Sequence, residues 1–84
     1  MHITKHGKNR YKNRRGLPLK SISKEVEKAR LLGLTSNSSI GKLKWYLFSK
    51  STPFNQAIYY SGFIWVFEGS FFITLYPIPG SIIN

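Results

Sequence analysis

An apolar run in the C-terminal third most constrains how this 84-residue chain can fold. Residues 57–79 read AIYYSGFIWVFEGSFFITLYPIP and contain one charge, so their length fits a transmembrane helix. Against that alternative, Ser-Gly at 61–62 and Glu-Gly-Ser at 68–70 are turn sequences, and the pieces between them are rich in β-branched and aromatic residues. We therefore predict three antiparallel strands joined by tight hairpins, near residues 56–60, 63–68 and 71–76.

Both faces of the predicted sheet are apolar, so it needs cover. Alternation places Phe63, Trp65 and Phe67 opposite to Ile64 and Val66. On the last strand it places Phe71, Ile73 and Leu75 opposite to Phe72, Thr74 and Tyr76. Residues 1–50 must supply the cover as helices. The expected fold is one α+β domain over residues 1–84, with cationic helices in 1–50 packed on a small antiparallel sheet of about three to four strands in 51–84.

Three helices are predicted within the first fifty residues. The first spans residues 4–15 with Thr4 as its cap. The second is capped by Ser21 or Ser23 and ends at Gly33 as a C′ residue, and its buried face consists of Ile22, Val26 and Ala29. The third begins after Ser38-Ser39 and buries Ile40, Leu43 and Leu47.

Charge is concentrated in the helical half. Residues 1–50 hold all 13 Lys and Arg and two of the three acids, a net charge of +11, whereas residues 51–84 carry −1. Such a field attracts nucleic acid, an anionic membrane surface or an acidic protein. The chain has no Cys and its first residues include no apolar leader, so we expect no disulfide and a cytoplasmic location.

His6, Arg10 and Arg14 recur every four residues and form one row if residues 4–15 are helical. A neutral imidazole can take a proton from an RNA 2′-hydroxyl, and guanidinium groups can stabilise the phosphoryl transition state. These groups suffice for RNA cleavage without a metal. The alternative is a solvated basic arm, because blocks of like charge are usually solvated. The cations expected to bind nucleic acid beside the row are Lys5, Lys8, Lys12, Arg15 and Lys20.

A second candidate nucleic-acid surface lies on the third predicted helix, where aromatic residues that could stack on bases follow two cations: Lys42, Lys44, Trp45 and Tyr46. Thr74 and Tyr76 share one face of the last strand and are expected to meet the row of His6. Two His and three scattered Glu match no metal-ligand spacing. We therefore predict no metal and no cofactor.

Short motifs across nearly the whole chain carry a family resemblance. They are His6-x3-Arg10-x3-Arg14, Gly16-Leu17-Pro18, Gly41-x-Leu43-x2-Tyr46-Leu47, Ile64-x-Val66-Phe67 and Ile73-Thr74-x-Tyr76-x-Ile78-Pro79. In these the chain resembles small bacterial and phage proteins of the RelE/BrnT-like toxin group. The resemblance implies helices on an antiparallel sheet and metal-independent RNA cleavage, with His6, Arg10, Arg14 and Thr74 as the catalytic residues. It departs from the group's pattern at Gly7, where Ala is common and would favour the helix.

Two functions therefore remain open. One is a RelE-like ribonuclease, a toxin that would also meet an acidic antitoxin. The other is a non-catalytic phage or mobile-element protein that binds nucleic acid or a host ribonucleoprotein and inhibits it. The same cations serve both, and neither needs insertion into a membrane.

Overall fold

The computed structural model describes residues 2–83 and contains one four-stranded sheet with helices on both of its faces. The strands are β1 His2–Ile3, β2 Gln56–Tyr60, β3 Phe63–Glu68 and β4 Phe71–Pro77. The helices are α1 Lys5–Arg10, continued as a π-helical turn Tyr11–Arg15, then a 3₁₀ turn Leu19–Ser21, α2 Ile22–Leu32, α3 Gly41–Lys50 and α4 Gly80–Ile83. The predicted α+β class, with helices N-terminal and the sheet C-terminal, is confirmed.

The three predicted strands form as expected, and the strand order is β1-β4-β3-β2. Ser61 and Gly62 both have positive φ, 53° and 83°, which matches the two-residue hairpin turn between β2 and β3. β1 was not predicted. It pairs parallel to β4, with His2 opposite Phe71, so the sheet is mixed rather than wholly antiparallel. A two-residue strand is too short to show an alternating pattern.

A β-bulge changes which side chains of β4 share a face. The register shifts between Val66 and Phe67, so that Phe67 pairs with Phe72 and Val66 with Thr74. Ile73 is the extra residue, and the expected alternation is wrong from this point. Phe72 and Leu75 therefore pack on the same face of the sheet.

Residues 57–79 are the three strands and their turns, and this excludes the alternative of a transmembrane helix there. Among residues 2–83, no helix has the length and apolarity needed to cross a membrane.

Two apolar clusters hold the helices to the sheet. On one face α1 and α2 cover the larger cluster, in which Tyr11, Val26, Trp65 and Phe72 are fully buried. On the other face α3 covers a smaller cluster around Leu47. Of the predicted apolar face of α3, Leu43 and Leu47 pack inward, but Ile40 is 88% exposed because it precedes the helix in extended conformation.

The ends of α2 differ from prediction. Ser21 makes no side-chain cap bond, because the 3₁₀ turn Leu19–Ser21 leads directly into the helix. Gly33 follows the helix in extended conformation rather than in the left-handed region. Its lack of a side chain serves packing instead, since a Cβ there would overlap Ile58 Cγ2 and the Ala29 carbonyl oxygen.

Candidate nucleic-acid interface

Helix α1 is fixed to β4 through its buried side. Thr4 caps the helix as predicted: its Oγ1 accepts from Gly7 N at 3.0 Å and donates to the Phe72 carbonyl at 3.1 Å. Gly7 lies so close to β4 that a Cβ would be 2.7 Å from the Phe72 carbonyl oxygen. Tyr11, one turn further on, is buried beside Trp65. The row of His6, Arg10 and Arg14 lies along the side of the helix next to these anchors.

The structure brings His6 and Arg10 into contact. Arg10 Nε donates to His6 Nε2 at 3.2 Å, in an exposed position. A guanidinium can only donate, so Nε2 of His6 is the acceptor of this bond. The ring nitrogen of His6 that accepts this bond lies against a cation.

Arg14 is held at the edge of the sheet. Its Nη1 donates to the Leu75 carbonyl of β4 at 2.9 Å. β1 pairs only with Phe71 and Phe72, so β4 has no strand partner on its outer side beyond Phe72 within the described part of the chain. We call residues 73–77 on this side the open edge of β4. One bond fixes the guanidinium there, and its other donors can bind a ligand.

Arg15, which was predicted to bind nucleic acid, serves the fold. It forms an ion pair with Glu25 of α2 and donates to Ser61 Oγ at 3.2 Å. Its guanidinium also lies 5.3 Å from the centre of the Phe63 ring. The hydrogen bond with Glu25 raises the pKa of Arg15 further above its ordinary value. Its charge is thus neutralised within the protein.

Thr74 and Tyr76 do not meet the row as expected. Through the bulge Thr74 pairs with Val66, whose side chain belongs to the α3 face, and Tyr76 packs with Tyr46 on that same face. Their side chains lie across the sheet from α1, although Thr74 is next in sequence to the Leu75 carbonyl that Arg14 binds. Burial first, then the neighbouring Tyr46, raises the pKa of Tyr76 to about 12. Tyr76 is therefore a neutral hydroxyl at physiological pH.

The remaining predicted cations and aromatics divide between the two faces. Lys5, Lys8, Lys12 and Lys20 are exposed on α1 and the turns that follow it. On α3, Lys42 and Trp45 are exposed, while Lys44 and Tyr46 are half-buried. The structure thus places the two predicted cationic surfaces on opposite faces of the sheet.

Two features of these surfaces were missed from the sequence. The His2 ring stacks on the Phe71 ring, with 5.0 Å between centroids, where β1 pairs with β4. Phe48 pairs with Trp45 on the outward side of α3, with ring centroids 6.2 Å apart. The spacing of three residues within a helix could have indicated the second pair. The stacking of His2 depends on β1, which has no local signal.

Comparisons with protein-family models, with curated proteins and with solved structures gave no match to this chain.

Proposed function

We propose that this protein binds RNA along the row of His6, Arg10 and Arg14 and cleaves it without a metal ion. The hydrogen bond from Arg10 to His6 Nε2, on the helix whose next turn brings Arg14 to the open edge of β4, carries the proposal. This arrangement places a base and two cations on a helix that packs against β4. The same reaction is the one that the resemblance to RelE/BrnT-like toxins implies.

The first step is binding of a backbone phosphate between the two arginines. Guanidinium groups bind phosphate oxygens through paired, charge-assisted hydrogen bonds. Arg14 is already held by Leu75 and presents its free N–H groups with little loss of freedom. When Arg10 turns to the phosphate, it releases His6 Nε2. Substrate binding thereby frees the base at the place where it is needed.

In the chemical step His6 Nε2 takes the proton of the 2′-hydroxyl, and the 2′-oxygen attacks phosphorus. The bond to the 5′-oxygen breaks, that oxygen takes a proton from water, and the proton held by His6 passes to the resulting hydroxide. Arg10 and Arg14 stabilise the charge that develops on the phosphoryl oxygens. The products are a 2′,3′-cyclic phosphate and a 5′-hydroxyl end. Thr74 has no assigned step, because its side chain belongs to the other face.

One observation favours the non-catalytic alternative, in which the protein binds nucleic acid or a host ribonucleoprotein and blocks it. Arg10 is the only hydrogen-bond partner of the His6 side chain within residues 2–83, so no group orients Nδ1. A catalytic imidazole is commonly oriented by a third group. A binding surface has no such requirement.

The test is incubation of the protein with labelled single-stranded RNA in the presence of EDTA. His6→Gln keeps an acceptor for Arg10 but cannot take the proton, so cleavage should fall about 100-fold or more while binding persists. His2→Gln removes the other histidine and is the matched control, with unchanged cleavage. Cyclic-phosphate ends on the product confirm the step.

Two outcomes would reject the catalytic assignment. Full cleavage by His6→Gln would remove His6 as the base. RNA binding by the wild-type protein without any cleavage would leave the blocking function, and its affinity should then fall steeply with salt.

A further inference from the structure

The outward side of α3 displays an aromatic pair that the fold does not use. Trp45 and Phe48 are 65% and 64% exposed, and their rings meet edge to face at 80°. Leu43 and Leu47, on the other side of the helix, supply its packing onto the sheet. Large apolar side chains exposed together mark an interaction surface.

The charge around this pair defines what kind of partner fits. Helix α3 and the segments on either side of it, residues 34–55, contain no Asp or Glu and three cations: Lys42, Lys44 and Lys50. A second copy of the chain would bring like charges together, which opposes self-association through this surface. Cations that follow a phosphate backbone, combined with aromatic rings that stack on bases, are typical of sites for single-stranded nucleic acid.

The position of α3 connects this surface to the row on α1. Helix α3 packs mainly against β2, and Tyr46 reaches across to Tyr76 of β4 on the same face of the sheet. Beyond Tyr76 lies the open edge of β4, where Arg14 binds the Leu75 carbonyl. A strand that passes from one face to the other crosses the shorter dimensions of the molecule, which are 26 and 19 Å. Sites of about 4–16 nucleotides are common on single-strand-binding folds.

We propose that α3 is the second half of one continuous site for single-stranded RNA. The strand passes from Arg10 and Arg14 around the open edge of β4, and its unpaired bases stack on Trp45 and Phe48. A duplex is too stiff to follow this path around the sheet, and its bases are already stacked on one another. The inference rests on RNA binding at α1 and adds the substrate class: a flexible, unpaired strand.

The two tryptophans make the test direct, because Trp45 is exposed and Trp65 is fully buried. Fluorescence of the full chain is followed as a short oligouridylate is added, and then with a duplex RNA of equal length. The single strand should quench Trp45 and protect it from acrylamide, whereas the duplex should leave it accessible. Trp45→Phe leaves only Trp65 and should abolish the response.

Variants measure the contribution of each ring. Trp45→Ala and Phe48→Ala should each weaken oligouridylate binding by about 5- to 150-fold and leave duplex binding unchanged, as expected for loss of one stacked base. Phe54→Ala is the matched control, because Phe54 is 79% exposed but lies outside α3. It should bind like the wild type.

The outcomes separate this inference from the proposed cleavage. If oligouridylate still protects Trp45 in His6→Gln while cleavage stops, both stand. If no cleavage is found but Trp45 distinguishes single strands from duplexes, the α3 site stands alone. If Trp45→Ala leaves oligouridylate affinity unchanged, the inference is overturned even if His6 is essential. Protection of Trp45 by polyglutamate but not by RNA, or by self-association, overturns it as well.

Discussion

The two faces of the sheet are covered in different ways. On the α1 and α2 face, helices approach the strands at Gly7 and Gly33 and enclose the aromatic core, and Arg14 and Arg15 are fixed by bonds to other elements. On the α3 face a smaller cluster holds the helix, and Lys42 and Trp45 point outward without such bonds within the described residues. Arg14, which a bond to β4 holds in place, suits the geometry of a reaction, whereas the unbonded cations and rings of α3 suit a flexible strand.

The largest expected difference between the two faces is in the stability lost when a tryptophan is removed. Trp65 is fully buried, packs with Tyr11 and Phe72, and donates from Nε1 to the Tyr60 carbonyl at 2.9 Å. Trp65→Ala should cost about 3–5 kcal/mol, comparable to the whole stability of a small domain. Trp45→Ala should change the free energy of unfolding by less than about 0.5 kcal/mol. Urea unfolding followed by circular dichroism measures both.

A large loss of stability in Trp45→Ala would contradict the difference between the faces, because it would make Trp45 part of the core. It would also remove the argument that its exposure serves binding.

The sequence predicted the sheet well because its signals are local. Turn residues at 61–62 and 68–70 separate strands whose composition is unambiguous, and the observed bounds agree with prediction within a residue. The bulge at Ile73 has no such signal, since it depends on how β3 and β4 pair. One extra residue reversed the expected face of Thr74, and with it the expected meeting of Thr74 and His6.

The candidate site was predictable only in part for the same reason. The four-residue spacing of His6, Arg10 and Arg14 is a property of one helix, and Arg10 does contact His6. The separation of Arg14 from Arg15 is not local: one binds β4 and the other pairs with Glu25 of α2. Neighbouring arginines look alike in a sequence until the packing of distant elements is known.

The next test acts on the close approach of α1 to β4. Gly7→Ala raises helix propensity by about 1 kcal/mol, so a purely local view expects stabilisation. The added Cβ would meet the Phe72 carbonyl oxygen at 2.7 Å, and backbone can yield only by moving the helix. We expect a net loss of about 1–3 kcal/mol in the free energy of unfolding, measured in urea.

Gly80→Ala is the matched control, because a Cβ at Gly80 meets nothing within 4 Å. It should be nearly neutral. If Gly7→Ala is instead stabilising, α1 does not lie in close contact with β4. That contact then cannot be what fixes His6 and Arg14 in position.

The smallest expected effect concerns Tyr76 on the α3 face and appears only in alkali. Burial first, then Tyr46, raises its pKa to about 12 from the ordinary value near 10. The folded state thus favours the neutral phenol, so this stabilisation is complete below pH 10 and is lost as pH rises through 12. Tyr76→Phe should flatten that loss, measured as urea midpoint against pH.

Tyr11 on the opposite face sharpens the comparison. Burial, followed by the charge of Glu25, raises its pKa as well, and its hydroxyl lacks a hydrogen-bond partner within residues 2–83. Tyr11→Phe should therefore be tolerated near neutral pH and should remove a second part of the alkaline loss. The variant that carries both Tyr11→Phe and Tyr76→Phe tests the two residues together. If its urea midpoint still falls between pH 10 and 12 as in the wild type, ionisation of these two buried phenols does not cause the alkaline loss of stability. The two phenol groups would then be less enclosed than the buried position of Trp65 implies.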